Sequence, residues 1–309
     1  MRIVLCHGLL GFDTLNIVPL RLQRLLYGNS ASSHIFGLSY WGRHLVKHLN
    51  AECQASASTK GHESQVWIPR VPATASVESR AKILWQYLDA KTRDSPTPIT
   101  VHLLAHSMGG LDARFMLSKM KPMEKCRVLS LTTLATPHRG SSYIDWLAEL
   151  VGLKSSTVSD NILEKVKTVA GHTDWLSKLE TMLLTAPLIA RDIRAFRQLS
   201  TEYACQHFSA SAVPDVPTVK YYSYGGSVSD AQKASMGQKM SWRIINEREG
   251  PNDGLVSVKS SEWGDYCGTL DCNHDDLVAI WPWRTQFDTK KFYSRHLQLL
   301  RECERKHSE

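Results

Sequence analysis

The sequence predicts an α/β fold: a mostly parallel central sheet, helices on both of its faces and an inserted helical segment. Three observations predict it. Short apolar runs alternate with helical periodicities through residue 134. One of those runs ends in a serine between small residues and passes straight into a helix. The alternation then stops, and residues 143–208 carry helical spacing alone.

The elements follow in order. Residues 2–6 form an apolar run ended by His-Gly, which suits a buried parallel strand. Trp41 to Leu49 has helical spacing, and Gln65 to Arg70 suits a strand closed by Pro69 and Pro72. Ser76 can cap a helix to Ala90, with Ala81, Ile83, Leu84, Tyr87 and Leu88 as its apolar face. Ile99 to Ala105 is a strand. Gly110 to Met120 is a helix with Leu111, Phe115, Met116 and Met120 on one side, and Val128 to Leu134 is the next strand. Within 143–208, Trp146, Leu147, Leu150 and Val151 recur at helical spacing, as do Leu176, Leu179, Met182 and Leu183. These are core-facing helices or a cap above the sheet. Strand signals return at Val219 to Tyr224 and Trp242 to Ile245, and Lys290 to Cys303 is an amphipathic helix carrying Phe292, His296, Leu299 and Leu300.

Composition excludes several classes. The 309 residues are 42% hydrophobic and 22% charged, as in ordinary globular chains. No run approaches about 18 consecutive apolar residues, so no transmembrane segment is expected. The net charge is +7, but Lys and Arg are scattered rather than striped, which argues against nucleic acid and suits an anionic lipid surface better. Seven cysteines at irregular spacing are no disulfide framework. Cys267 and Cys272 are close enough in sequence to pair, with free thiols the favoured reading. The N-terminus starts on a strand rather than a signal peptide, so an intracellular site is expected.

Val-His-Leu-Leu-Ala-His-Ser-Met-Gly-Gly (101–110) is strand, serine, helix. That is the context of a nucleophile elbow, and with the preceding alternation it predicts an α/β-hydrolase fold. Strand, turn and helix crowd together there, so neighbours must be small. Ala105 and Gly109 meet that need, with alanine replacing the usual first glycine. His106 and Gly109 are expected to support the turn. The helix N-terminus adds an N–H and a positive dipole end beside a developing oxyanion.

A serine nucleophile needs a base, and the base an orienting acid. In this fold the acid precedes the histidine, and both follow the serine. Of 13 histidines, His296 falls in the terminal helix and His307 in the charged tail, and His274, in a late polar loop, is the best base. Asp253, in Gly-Pro-Asn-Asp-Gly-Leu-Val (250–256), follows the strand expected at Trp242 to Ile245 and suits the acid; Asp265 and Asp271 are the alternatives. Asp275 and Asp276 adjoin the base but follow it. His-Gly-Leu-Leu-Gly (7–11) closes the first strand, and Gly8 and Gly11 let its backbone approach a substrate. The expected oxyanion donors are the N–H groups of Leu9 and Met108, with His7 shaping the loop. No cofactor is expected.

Leu-Cys-His-Gly-Leu-Leu-Gly (5–11), Ala-His-Ser-Met-Gly-Gly-Leu-Asp-Ala-Arg (105–114), Thr-Pro-His-Arg-Gly-Ser (136–141), Tyr-Tyr-Ser-Tyr-Gly-Gly (221–226), Asn-Asp-Gly-Leu-Val-Ser (252–257) and Asn-His-Asp-Asp (273–276) together resemble the true lipases. The set is similar to bacterial triacylglycerol lipases and, in style, to fungal intracellular lipases. The resemblance spans most of the chain. It implies hydrolysis of acylglycerol esters by Ser107, Asp253 and His274, and a lipid–water interface as partner. It also implies a single domain over 1–309 with a helical lid at 143–208, and makes a mitochondrial location an alternative. Phospholipase, short-chain esterase and acyltransferase chemistry use the same triad and stay open, and a non-catalytic lipid-binding protein is the remaining alternative. Several bacterial members hold calcium after the catalytic histidine. Asp276 falls there, but Ile280 and its neighbours lack the oxygen ligands, so no metal is expected.

Overall fold

The computed structural model describes residues 1–9, 15–16, 37–55, 65–150, 193–235, 237–280 and 285–308. The elements are β1 (Ile3–Cys6), β2 (Leu15–Asn16), β3 (Gly37–Leu38), α1 (Arg43–Ala55), β4 (Val66–Trp67), α2 (Val77–Thr92), β5 (Ile99–His106), α3 (Met108–Lys119), β6 (Cys126–Leu134), α4 (Ser142–Leu150), α5 (Ile193–Gln198), α6 (Thr201–His207), β7 (Lys220–Ser227), α7 (Lys239–Arg248), α8 (Val258–Ser261), β8 (Asp265–Asp271) and α9 (Thr289–Ser308), with a 3₁₀ turn at His274–Val278. Gly11 and residues 151–192 of the expected insertion lie outside the described residues.

Six strands form one sheet in the order β4-β1-β5-β6-β7-β8, and every neighbouring pair is parallel. Strands β2 and β3 make a separate antiparallel pair. All four residues of β1 are buried, because each face of the sheet is covered. Ile3 and Leu5 join a core with Trp41, Leu45 and Leu49 before and within α1 and Tyr293, Leu297 and Leu300 of α9. Val4 and Cys6 join the opposite core, with Ala81, Leu84 and Leu88 of α2 and Ala113 and Met116 of α3. The strand period of two thus serves two helical layers, and the chain has the α/β-hydrolase fold. From β1 the next strand of this sheet is added on one side, as β4, and the later strands β5 to β8 on the other, so β1 and β5 flank the point where strand order reverses. Ligands bind in such sheets at the carboxyl ends of the strands that flank that point.

One expected strand is a helix, and one strand has no counterpart among those expected from the sequence. Trp242 to Ile245 lies in helix α7, where Ser241 and Ile245 are buried one turn apart. A short apolar run does not separate strand from helix. Ile245 packs with Tyr143, Leu147 and Phe196, so helical spacing prevails. The last strand, β8, went unpredicted because Asp265 to Asp271 is an edge strand with no buried residue. Its alternation is between exposed and half-exposed positions, which hydropathy does not register. All seven cysteines are free, with Cys267 exposed and Cys272 buried.

Candidate active site

Helix α3 begins at Met108, two residues earlier than the periodicity predicts, so Ser107 is the junction itself. Its backbone sits at φ 54°, ψ −132°. A non-glycine residue there stores on the order of 1–3 kcal/mol of strain, which the surroundings must hold in place. The Ser107 N–H donates to the Leu134 carbonyl at 2.9 Å, and its own carbonyl accepts the Thr136 hydroxyl at 2.8 Å. A Cβ at Gly109 would stand 2.7 Å from the His7 carbonyl oxygen and 2.8 Å from that of Cys6. One at Gly8 would stand 2.7 Å from the Ser107 Cβ. Both glycines therefore set how closely the β1 loop meets the elbow.

That loop is held from two sides. The buried Arg80 guanidinium donates to the carbonyls of His7 at 2.6 Å and Gly8 at 3.1 Å, and its Nε pairs with Asp112 of α3 at 2.8 Å. His7 is buried and donates from Nδ1 to the Gly8 carbonyl at 3.0 Å. On the other side the Gly8 N–H donates to the Tyr40 hydroxyl at 3.0 Å. Gly8 is thus occupied, whereas the N–H groups of Leu9 and Met108 meet no acceptor among the described residues.

Tyr40 continues the chain of bonds. Its hydroxyl lies 2.6 Å from His106 Nδ1, and His106 Nε2 lies 3.0 Å from the His274 carbonyl. A carbonyl only accepts, so Nε2 carries the His106 proton and Tyr40 donates to Nδ1. Burial, then the nearby His274 charge, hold His106 well below the ordinary histidine range and keep it neutral. The β1 loop, the serine turn and His274 are thereby joined through Tyr40, whose only sequence signal is an aromatic pair ahead of a helix.

His274 opens the 3₁₀ turn after β8 rather than lying in a loop. Its Nδ1 donates to Asp253 Oδ2 at 2.8 Å, and its N–H donates to the Asp253 carbonyl at 3.0 Å. Asp253 is fully buried, and its other oxygen accepts the N–H groups of Leu255 at 2.9 Å and Val256 at 2.8 Å. Burial opposes charge on His274, but the charge and hydrogen bond of Asp253 with the charge of Asp275 outweigh it, and its pKa is raised. Asp265 and Asp271 sit exposed on β8. Asp276 accepts the Asn273 N–H at 2.9 Å and caps the 3₁₀ turn.

Thr-Pro-His-Arg-Gly-Ser has a scaffold role in the structure. Thr136 holds the elbow, Ser141 Oγ donates to the Leu255 carbonyl at 2.7 Å, and the Gly140 carbonyl accepts Ser260 Oγ at 2.6 Å. The buried His138 accepts a hydrogen bond from Arg114 at 3.1 Å and stacks on Trp263. The segment therefore ties the serine turn to the acid loop.

Ser107 and His274 line one cavity of about 350 Å³. Leu9, Tyr143, Ile144, Leu147, Phe196 and Leu255 make its wall largely apolar. Residues of α4 and α5, which flank residues 151–192, face the serine across it. A larger cavity of about 870 Å³ opens around Met116, Met120 and Val219, away from the elbow, and no histidine lines it among the described residues. Chemistry, not size, selects the smaller one.

Known proteins resemble this chain in sequence and in fold. Residues 77–170 match the PGAP1-like alpha/beta domain. Triacylglycerol lipase from Vibrio cholerae is 26% identical over 280 residues, 85% of this chain and 74% of that protein. The Staphylococcus hyicus lipase structure superposes with a TM-score of 0.63 at 19% identity, covering 100% of this chain and 97% of that one, a likeness of fold. Triacylglycerol lipase 2 of Saccharomyces cerevisiae is 31% identical over 318 residues, spanning 94% of this chain and 83% of that protein. At that identity and coverage, the chain belongs to the triacylglycerol lipase family of carboxylic-ester hydrolases.

Proposed function

We propose that this chain cleaves the ester bonds of acylglycerols through an acyl-enzyme on Ser107. The observation that carries the reading is the His274–Asp253 bond of 2.8 Å behind an apolar cavity that Ser107 and His274 share. With Nδ1–H committed to Asp253, His274 Nε2 is the nitrogen left to accept a proton. It takes that of Ser107 as Oγ attacks the ester carbonyl. The N–H groups of Leu9 and Met108, with the α3 dipole, stabilise the oxyanion. His274 then protonates the departing alcohol, and water repeats the sequence to release the fatty acid. Asp253 keeps the imidazole in one tautomer and stabilises its charged form.

A lid formed by residues 143–208 fits the apolar wall that α4 and α5 contribute, and its opening at a lipid–water interface would expose that wall to lipid. Among the described residues no helix is long and apolar enough to cross a membrane. Seven unpaired thiols fit a reducing compartment inside the cell. The test is hydrolysis of emulsified triacylglycerol by the purified chain and by Ser107→Ala. A loss of at least about 10³-fold is expected. Activity near that of the unaltered chain in the variant would exclude Ser107 as nucleophile.

A further inference from the structure

Three carboxylates surround His274, and two have structural work. Asp253 orients the imidazole and Asp276 caps the 3₁₀ turn. Asp275 does neither, and it lines the cavity shared by Ser107 and His274. Its Oδ2 accepts a hydrogen bond from Gln238 Nε2 at 3.1 Å. Gln238 is itself bedded against the acid loop: a Cβ on Gly254, at φ 103°, would stand 2.6 Å from its Oε1. Glycine at 254 therefore leaves the Gln238 amide its place beside Asp275.

Charge inside the cavity contrasts with charge on the whole chain. The sequence carries a net +7, yet no Lys or Arg lines the cavity among the described residues. Among the described residues, an anionic group delivered to Ser107 would meet one carboxylate and no ammonium or guanidinium partner, between walls that screen poorly. Like charges in such a setting discriminate strongly between ligands, and selectivity is often built from such repulsion. An uncharged ester meets no such opposition. Burial and the charges of Asp253 and Asp276 raise the Asp275 pKa while the His274 charge and the Gln238 hydrogen bond lower it, so the repulsion strengthens as pH rises through that raised value.

We propose that Asp275, held by Gln238 in the wall of the Ser107 cavity, sets head-group selectivity by rejecting esters that carry a negative charge near the scissile bond. Uncharged acylglycerols pass; phosphate-bearing glycerolipids do not. The proposal rests on the ester-hydrolase reading above and names its substrate class.

The experiment uses soluble esters of one short acyl chain with glycerol, choline or glycerol 3-phosphate, which removes the attraction of a basic surface for anionic lipid interfaces. For the unaltered chain, kcat/KM is expected to be about tenfold or more lower for the glycerol phosphate ester than for the glycerol ester, with the choline ester not disfavoured by charge. Asp275→Asn should narrow the glycerol to glycerol-phosphate ratio by about tenfold. The ratio cancels any common loss from altering a neighbour of the base. An unaltered chain that cleaves both esters within about twofold overturns the proposal, whether or not the variant folds. So does a folded Asp275→Asn protein with an unchanged ratio. Failure of the unaltered chain to cleave any of the three esters would instead overturn the hydrolase reading beneath it.

Discussion

At the scale of single residues, the site turns on how His274 is held. Asp253 raises the His274 pKa against the opposing effect of burial. The base must be neutral to act, so kcat/KM falls as pH drops through a value above the ordinary histidine figure of about 6.5. Asp253→Asn leaves burial unopposed by its largest counterweight. The acid limb of the profile should move to lower pH, and the plateau should fall by roughly 10³-fold or more. The stability sign is the usual one for a raised histidine. The pair's stabilisation is fully present below the unfolded pKa and is lost as pH rises through the folded one. Denaturant midpoints measured across pH should therefore lose that dependence in Asp253→Asn. Tyr40 makes a second residue-scale case. Tyr40→Phe leaves the buried His106 Nδ1 without its donor and frees the Gly8 N–H. A stability loss of about 1–3 kcal/mol is expected, with a fall in kcat of about tenfold and a small change in KM. Urea titration and steady-state kinetics read the two effects separately.

At the scale of elements, the β5–Ser107–α3 unit is legible in sequence because its constraints are local. Strand, small residues and helix adjoin in the chain, and Gly109 is required by a contact with the carbonyls of Cys6 and His7. Gly109→Ala forces a backbone shift at that contact. It should cost about 1–3 kcal/mol in stability, and kcat should fall as the Leu9 and Met108 N–H groups separate. Asp253 and His274 are legible through chain order. What carries each of them is not. The acid follows a helix, α7, where a strand was expected, since Trp242, Ile244 and Ile245 satisfy both periods over so short a run. The base follows β8, whose polar residues leave no hydropathic trace. Tyr40, Arg80 and Gln238 act on groups 32 to 73 residues away in the chain, and no spacing rule connects them. The Arg80 clamp bridges α2, α3 and the β1 loop. Arg80→Met strands Asp112 in the interior and should cost about 3–5 kcal/mol, read from a thermal melt. A further Asp112→Leu change should recover part of it.

At the scale of the molecule, the sheet order brings the site together. The neighbouring strands β1 and β5 carry the His7–Leu9 loop and Ser107 at their carboxyl ends, while α7 and β8 precede the segments bearing Asp253 and His274. Helices α4 and α5 line the cavity with apolar side chains. Hydrolysis rate followed across the solubility limit of a short-chain triacylglycerol should therefore jump once droplets form, and a smooth curve would favour a soluble esterase. All of this depends on Ser107 taking up an acyl group. The most direct test is reaction with an organophosphonate ester followed by peptide mass analysis. One equivalent of adduct should form, on the peptide containing Ser107, with loss of activity in step and no labelling of Ser107→Ala. Inactivation with no adduct on that peptide, or an active protein that never labels, would contradict the account.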